Sequence, residues 1–156
     1  MKEFAATTSR REFCTACGKA AGLVALATAA GCSGSPTGPS GNAQSLASVS
    51  STVSGRTVTV PIGAGTPLAS AGAMAMTRTS IGTFLLARTS PTSLTVLTAT
   101  CTHESTTITL AEGSQFVCPN HGAVFSSTGS VVKGPANRSL QSFPATINGD
   151  NATFTA

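Results

Sequence analysis

Cysteine and histidine side chains form two short clusters in the C-terminal half of the chain. Residues 101–103 read Cys-Thr-His and residues 118–122 read Cys-Pro-Asn-His-Gly, with 14 residues between His103 and Cys118. The chain has five cysteines and only two histidines. Both histidines stand within three residues of a cysteine. Thiolate and imidazole are ligands of both zinc and iron–sulfur centres. The pairing therefore indicates a metal centre rather than four unrelated core residues.

A tetrahedral zinc ion is one metal that two cysteines and two histidines could hold. The Cys-x-His spacing at 101–103 is tighter than the usual separation of two to four residues between zinc ligands. Structural zinc also serves mainly domains that are too small to fold alone, and a domain of about 100 residues is not one of them. A zinc-stabilised binding module without redox activity stays open as the alternative from another class.

The pattern Cys-x-His followed by Cys-x-x-His-Gly resembles the Rieske iron–sulfur proteins, which hold a [2Fe–2S] cluster through two cysteines and two histidines. The resemblance covers roughly residues 97–156. It includes the Lys-Gly-Pro-Ala segment at 133–136, which corresponds to a Gly-Pro loop that covers the cluster. Four further positions match the downstream pattern, namely Phe125, Gly129, Val131 and Leu140. By this resemblance, Cys101 and Cys118 hold one iron, and His103 and His121 hold the other.

The family resemblance implies one-electron transfer, and departures from the family's high-potential pattern imply a low potential. High-potential members have an extra cysteine in each loop, joined as a disulfide, where this chain has Thr106 and Asn120. They also place hydroxyl groups near the cluster where this chain has Ala123 and Phe125. Hydrogen-bond donors stabilise the reduced cluster. Without them, we expect a midpoint in the lower half of the Rieske range, which is about −150 to +300 mV.

The resemblance also bears on partners. Glu104 follows His103 where quinol-oxidising members have an apolar residue, and a carboxylate makes a poorer surface for docking quinone. We therefore expect a membrane-tethered electron carrier that is not part of a complex. Its partner is a redox protein such as a cytochrome or an oxidoreductase subunit. The Rieske subunit of a quinol–cytochrome c oxidoreductase-like complex is the close alternative. Nothing in the sequence supplies a substrate pocket or a catalytic base, so we expect no stand-alone enzyme.

The first 31 residues have the features of an export signal. Basic residues precede a short apolar run from Ala20 to Gly31, which is shorter than the ~20 residues that span a bilayer. Residues 9–13, Ser-Arg-Arg-Glu-Phe, resemble a twin-arginine signal, whose route exports folded proteins. Residues 29–32, Ala-Ala-Gly-Cys, resemble a lipobox, which implies lipid on Cys32. The Cys-x-x-Cys pair at 14–17 lies inside the segment to be removed.

These features predict a protein at the periplasmic or extracytoplasmic face of a membrane, anchored by the lipidated Cys32. A Gly-, Ser- and Pro-rich segment follows, and we expect residues 32–48 to be a flexible tether. The net charge of +4 and the absence of Trp and Tyr give no support to nucleic-acid binding.

The two clusters must be positioned by β-structure, because the chain from residue 49 to 156 consists of short β-rich runs separated by turn residues. We predict an all-β domain, a Rieske-type antiparallel sandwich or barrel with a small cluster-binding subdomain whose loops lie around 101–104 and 118–123. Asn148-Gly149-Asp150 predicts a tight hairpin turn, and 67–76 could form a short turn of helix. The predicted strands are Thr57–Ile62, Ile81–Ala87, Leu94–Thr100, Thr107–Leu110, Gln115–Val117, Val124–Ser126, Ser130–Lys133, Ser142–Ile147 and Ala152–Thr155.

Overall fold

The computed structural model describes residues 38–39 and 41–156, and all regular structure in these residues is β. The prediction of an all-β domain is therefore confirmed. In chain order the strands are β1 Gln44–Ser45, β2 Ala47–Ser48, β3 Thr52–Ser54, β4 Thr57–Pro61, β5 Met74–Thr79, β6 Gly82–Ser90, β7 Ser93–Thr98, β8 Leu110–Glu112, β9 Gln115–Val117, β10 Val124–Ser126, β11 Val131–Lys133, β12 Ser142–Phe143, β13 Ala145–Asn148 and β14 Asn151–Thr155.

The strands form three sheets. The first sheet has the order β1-β8-β9-β10-β11, the central sheet β12-β7-β6-β5-β2, and the third sheet β13-β14-β4-β3. The pairings are antiparallel except between β2 and β5, which run parallel. The first sheet carries the second Cys/His cluster between β9 and β10, and the first cluster lies between β7 of the central sheet and β8 of the first sheet.

The central sheet is buried on both faces, because neighbouring residues of β6 enter two different cores. Leu85 and Ala87 pack with the cysteines in one core, and Phe84 and Leu86 pack in the other. Successive side chains of a strand point to opposite faces of its sheet, so the central sheet separates the two cores. The core that contains the cysteines therefore rests on the buried middle of β6, residues 84–88.

Most of the predicted strands lie where the structure has strands, and the hairpin at 148–150 is confirmed. Asn148 pairs with Asn151, and Gly149 has the positive φ of 56° that this turn requires. The segment 67–76 is not helical: it forms turns, and strand β5 begins at Met74. Its backbone is instead held by Arg88, whose N–H donates to the Ala73 carbonyl. The predicted strand 107–110 is displaced, because β8 begins only at Leu110.

The tether prediction for 32–48 needs a correction at its C-terminal end. Residues 44–45 pair with β8 and residues 47–48 pair with β5. Leu46, between them, packs against the core that contains the cysteines, and its N–H donates to the Thr109 carbonyl. One apolar side chain and two short edge pairings thus order a segment whose composition alone predicts flexibility.

The predicted signal segment 1–31, with its Cys-x-x-Cys pair and twin-arginine motif, and the predicted lipidation site Cys32 lie outside the described residues. Among the described residues, no helix is long and apolar enough to cross a bilayer.

Candidate metal centre

The two Cys/His clusters are held in loops with the same backbone hydrogen bonds. In the first loop, residues 101–106, the Cys101 N–H donates to the Thr106 carbonyl over 2.9 Å, and the Ser105 N–H donates to the Cys101 carbonyl over 2.9 Å. In the second loop, residues 118–123, Cys118 N–H donates to the Ala123 carbonyl over 2.8 Å, and Gly122 N–H donates to the Cys118 carbonyl over 3.1 Å. Each cysteine thus closes its own loop.

Strand pairing brings the ends of each loop together. In the second loop, β9 ends at Val117 and β10 begins at Val124, and these two residues are directly paired. In the first loop, Thr100 and Thr107 form an isolated β-bridge. The fifth residue of each loop has a positive φ, 56° at Ser105 and 67° at Gly122. The backbone of both loops therefore turns back sharply after the histidine.

The two cysteines are buried side by side. Cys101 is 1% exposed and Cys118 is 2% exposed, and both are free thiols. Burial raises the pKa of Cys118, and the neighbouring Cys101 thiol raises it further, whereas the backbone N–H groups of Asn120 and His121 lower it. A metal ion would displace the thiol protons, and those two N–H groups are placed to stabilise the resulting charge on sulfur.

The two histidines lie together at the surface end of the loops. Their ring centroids are 5.1 Å apart, with 78° between the ring planes. His103 is exposed, whereas the His121 side chain is 35% exposed. The His121 Nδ1 atom is itself buried and makes no hydrogen bond. A buried ring nitrogen without a hydrogen-bond partner is unfavourable, and binding a metal ion would remove that cost.

The donor atoms are arranged as two pairs rather than as one set of four. Within the described residues, the donors that all lie within 4.8 Å of one another are on His103, Glu104 and His121, and neither cysteine belongs to this group. A tetrahedral zinc would need all four donors within about 2.0–2.3 Å of one ion. A thiol pair and a separate imidazole pair fit a centre with two metal ions, and the donor set is the one that a [2Fe–2S] cluster needs.

A third loop, residues 133–140, borders the two clusters. Ala136 is buried in the same core as the cysteines. The Thr102 hydroxyl donates to the Arg138 carbonyl over 2.6 Å, which fastens the third loop to the first loop. Ala136, the last residue of the Lys-Gly-Pro-Ala segment, thus packs in the core beside the cysteines, and a covering role for this loop stays a prediction.

The structure adds two contacts that the sequence analysis missed. Glu104 in the first loop accepts a hydrogen bond from the Asn120 side chain in the second loop. Gly122 lies so close to Gly38 that a Cβ at position 122 would overlap the Gly38 carbonyl. Neither contact has a local sequence signal, because the partners are distant along the chain. Gly38 also falls within the segment predicted to be a tether.

Known proteins similar to this chain are iron–sulfur proteins. A family model described as "Rieske [2Fe-2S] domain" matches residues 58–144, a range that contains all four cysteine and histidine donors. The cytochrome b6-f complex iron-sulfur subunit of Synechococcus sp. (strain JA-3-3Ab) is 42% identical over 59 residues, which are 37% of this chain and 34% of that protein. The corresponding subunit of Chlorobaculum thiosulfatiphilum is 36% identical over 59 residues, 37% of this chain and 33% of that protein.

The match spans about a third of the length of these curated relatives. Among solved structures, the cyanobacterial plasma membrane Rieske protein PetC3 from Synechocystis PCC 6803 is 30% identical, with a TM-score of 0.48, and the match covers 53% of this chain and 86% of that one.

Proposed function

Because the chain belongs to the Rieske [2Fe-2S] domain family, we propose that it transfers single electrons through a cluster bound by four named side chains. Cys101 and Cys118 would hold one iron as thiolates, and His103 and His121 would hold the other through their ring nitrogens. When bound, the [2Fe–2S] cluster supplies one-electron redox chemistry. The observation that carries this assignment is the separation of the donors into a buried thiol pair and a more exposed imidazole pair.

The burial of the four donors sets the direction of electron entry and exit. The buried cysteines face the core, whereas His103 is exposed and His121 is partly exposed. Imidazole edges at the surface offer the shortest path between the cluster and another protein. A redox partner therefore docks on the histidine side.

Replacement of single donors tests the ligand set. Cys101→Ser, Cys118→Ser, His103→Ala and His121→Ala should each remove iron, acid-labile sulfide and the visible absorbance from the purified full chain. Thr92→Val, in the exposed turn at the end of β7 away from Cys101, is the control and should keep all three, because it leaves the four donors intact. Retention of a normal cluster in any donor variant would contradict the assignment. Colourless protein that binds one zinc ion through all four residues would favour the non-redox binding module.

The surroundings of the cysteines support a low reduction potential. Ala123 and Phe125 are both 0% exposed and lie in the same core as the cysteines, and neither side chain can donate a hydrogen bond to sulfur. Such donors stabilise the more negative, reduced cluster. The midpoint then lies in the lower half of the Rieske range of about −150 to +300 mV.

Addition of a hydroxyl near the cysteines tests this explanation. Phe125→Tyr and Ala123→Ser should each raise the midpoint potential, measured by protein-film voltammetry. Phe154→Tyr is the matched control, because Phe154 is also buried, at 3% exposure, but lies in the other core, and it should leave the potential unchanged. Equal potentials for Phe125→Tyr and the control would contradict the hydrogen-bond explanation.

The redox partner is a cytochrome or an oxidoreductase subunit, and two arrangements are open to test. A carboxylate at Glu104, 55% exposed beside His121, makes the docking surface polar and favours a free carrier. The curated relatives are named as iron-sulfur subunits of the cytochrome b6-f complex, which favours the second arrangement, a subunit of a quinol–cytochrome c oxidoreductase-like complex. Co-purification with a cytochrome b after mild detergent extraction would support the complex, and its absence, with electron transfer to a small soluble cytochrome, would support the carrier.

The proposed location is the extracytoplasmic face of a membrane, with lipid on Cys32. Twin-arginine export suits a protein that folds around its cluster before it crosses the membrane. Lipid at Cys32 would anchor the domain, because each buried methylene contributes roughly 0.8 kcal/mol. Mass spectrometry of the mature protein should find an acylated Cys32 as its first residue. Cys32→Ala should release the protein from the membrane fraction, and an unmodified terminus elsewhere would exclude the anchor.

A further inference from the structure

Glu104 connects the two loops that carry the proposed ligands. Its Oε2 atom accepts a hydrogen bond from Asn120 Nδ2 over 3.2 Å. The same oxygen lies 3.5 Å from His121 Nδ1, although that nitrogen has no hydrogen-bond partner. One carboxylate of the first loop thus reaches two side chains of the second loop, on the side where both imidazoles lie.

The backbone gives this contact its importance. The cysteine N–H and carbonyl of each loop bond within their own loop, from Cys101 to Ser105 and Thr106 and from Cys118 to Gly122 and Ala123. These bonds fix the shape of each loop but not the distance between the loops. Backbone pairing of Leu110 with Val117 joins the loops at their base, and beyond that pairing side chains set the distance. The buried thiols do so at the core end, and Glu104 with Asn120 does so at the histidine end.

We propose that Glu104 is a positioning residue that latches the second loop to the first, holds His121 beside His103, and lowers the reduction potential through its charge. This inference rests on the proposed function, since it assigns a role beside the same four ligands. The carboxylate acts in two separable ways: its oxygen accepts the Asn120 hydrogen bond, and its negative charge opposes the addition of an electron to the cluster.

The two actions differ in strength. A hydrogen bond to an ionised acceptor is stronger than a neutral one, but Glu104 is 55% exposed and solvent weakens it. Coulomb repulsion between the carboxylate and the extra electron acts over a few ångströms. This repulsion persists when the hydrogen bond to Asn120 is lost, provided that the carboxylate stays close to the cluster. The latch should therefore govern how fast the cluster is lost, and the charge should govern the potential.

Three variants separate these effects in the cluster-loaded full chain. Asn120→Ala removes the donor and keeps the charge, so cluster loss in the presence of a chelator should be ~5-fold faster with little change in midpoint potential. Glu104→Gln keeps an acceptor oxygen and removes the charge, so the potential should rise while the rate stays near that of the wild type. Glu104→Ala should change both quantities.

Glu112→Gln is the matched control, because Glu112 ends β8 at the hairpin turn, at the opposite end of β8–β9 from Cys118. It should change neither quantity. The double variant Glu104→Ala/Asn120→Ala should lose its cluster no faster than Glu104→Ala alone, since both remove one contact.

The latch is overturned if Asn120→Ala loses its cluster at the rate of the control, and the charge effect is overturned if Glu104→Gln keeps the wild-type potential. Failure of the proposed function has a different signature: the wild-type protein would then contain neither iron nor sulfide, whereas failure of the latch leaves the wild-type cluster intact and makes the variants behave like the control.

Discussion

The first and second Cys/His loops have equivalent backbone hydrogen bonds, but of their six positions only the cysteine is the same. The residue after the cysteine is Thr102 in one and Pro119 in the other. The histidine stands two residues after the cysteine in the first loop and three residues after it in the second. The turn residue with positive φ is Ser105 in the first loop and Gly122 in the second.

Because of these differences, the same loop backbone fits two different sets of neighbouring residues. The second loop lies under Gly38, where only a residue without a Cβ fits. The first loop is open at the same position, because Ser105 is exposed. The first loop gains its support from Thr102, whose hydroxyl reaches the third loop, and Pro119 has no such donor. The equivalent backbone thus brings two cysteines together, while the side chains determine what covers each loop.

The largest expected effect comes from adding a methyl group to the covered loop. In Gly122→Ala, the Cβ would overlap the Gly38 carbonyl, and the left-handed backbone itself costs roughly 1–2 kcal/mol for a residue other than glycine. We expect a loss of more than about 2 kcal/mol in the free energy of unfolding and a large loss of iron in the purified protein. Denaturant unfolding and iron analysis measure both.

Gly113→Ala provides the control for Gly122→Ala. Gly113 has a φ of +56° but nothing within 4 Å of a Cβ, so it should lose only the backbone contribution and keep its iron. Similar losses in the two variants would mean that the contact with Gly38 has no role in holding the second loop.

A smaller effect is expected from removing the support of the first loop. Thr102→Val deletes the hydrogen bond to the Arg138 carbonyl, which should cost about 1 kcal/mol and speed the loss of the cluster by a few fold, because the third loop then opens more often. Absorbance decay in the presence of a chelator measures that rate. Thr92→Val removes a hydroxyl in the exposed β6–β7 turn and should leave the rate unchanged. A wild-type rate for Thr102→Val would show that the hydrogen bond between the first and third loops does not slow the loss of the cluster.

The smallest effect is expected at the open turn. Ser105→Gly relieves the positive φ of 56°, a gain of roughly 1–2 kcal/mol that is partly offset by the 0.5–1 kcal/mol entropic cost of glycine. The net change in the free energy of unfolding should be a gain of up to about 1 kcal/mol, with the cluster retained. Ser105→Ala keeps the Cβ and should change little. Destabilisation by Ser105→Gly would show that the Ser105 side chain, rather than the backbone, shapes this turn.

The same contrast explains what could be predicted from the sequence. Short β-rich runs, the Cys/His spacing and the Asn-Gly turn at 148–150 are local patterns. Most strands, the two loops and this hairpin could therefore be predicted from the sequence. Strand β5 was missed because Met74, Ala75 and Met76 have little intrinsic preference for β-structure; burial on both faces of the central sheet stabilises it there. The contact between Glu104 and Asn120 depends on two loops meeting in space, so no local pattern indicates it.

The order at residues 44–48 has a similar origin. Leu46 is the only large apolar residue of that segment, and its contact with the core appears only once the first and central sheets have formed. A composition rich in Gly, Ser and Pro predicts flexibility, but two pairs of edge residues and one buried contact are enough to order it.

In the proposed ligand set, two thiolates hold one iron and two imidazoles hold the other. Mössbauer spectroscopy of the 57Fe-enriched full chain, before and after reduction, tests it most directly. We expect two different iron environments in equal amounts, with the added electron on the imidazole-bound iron, so that this iron alone becomes ferrous. Two equivalent iron sites, or ferrous character on the thiolate-bound iron, would contradict it.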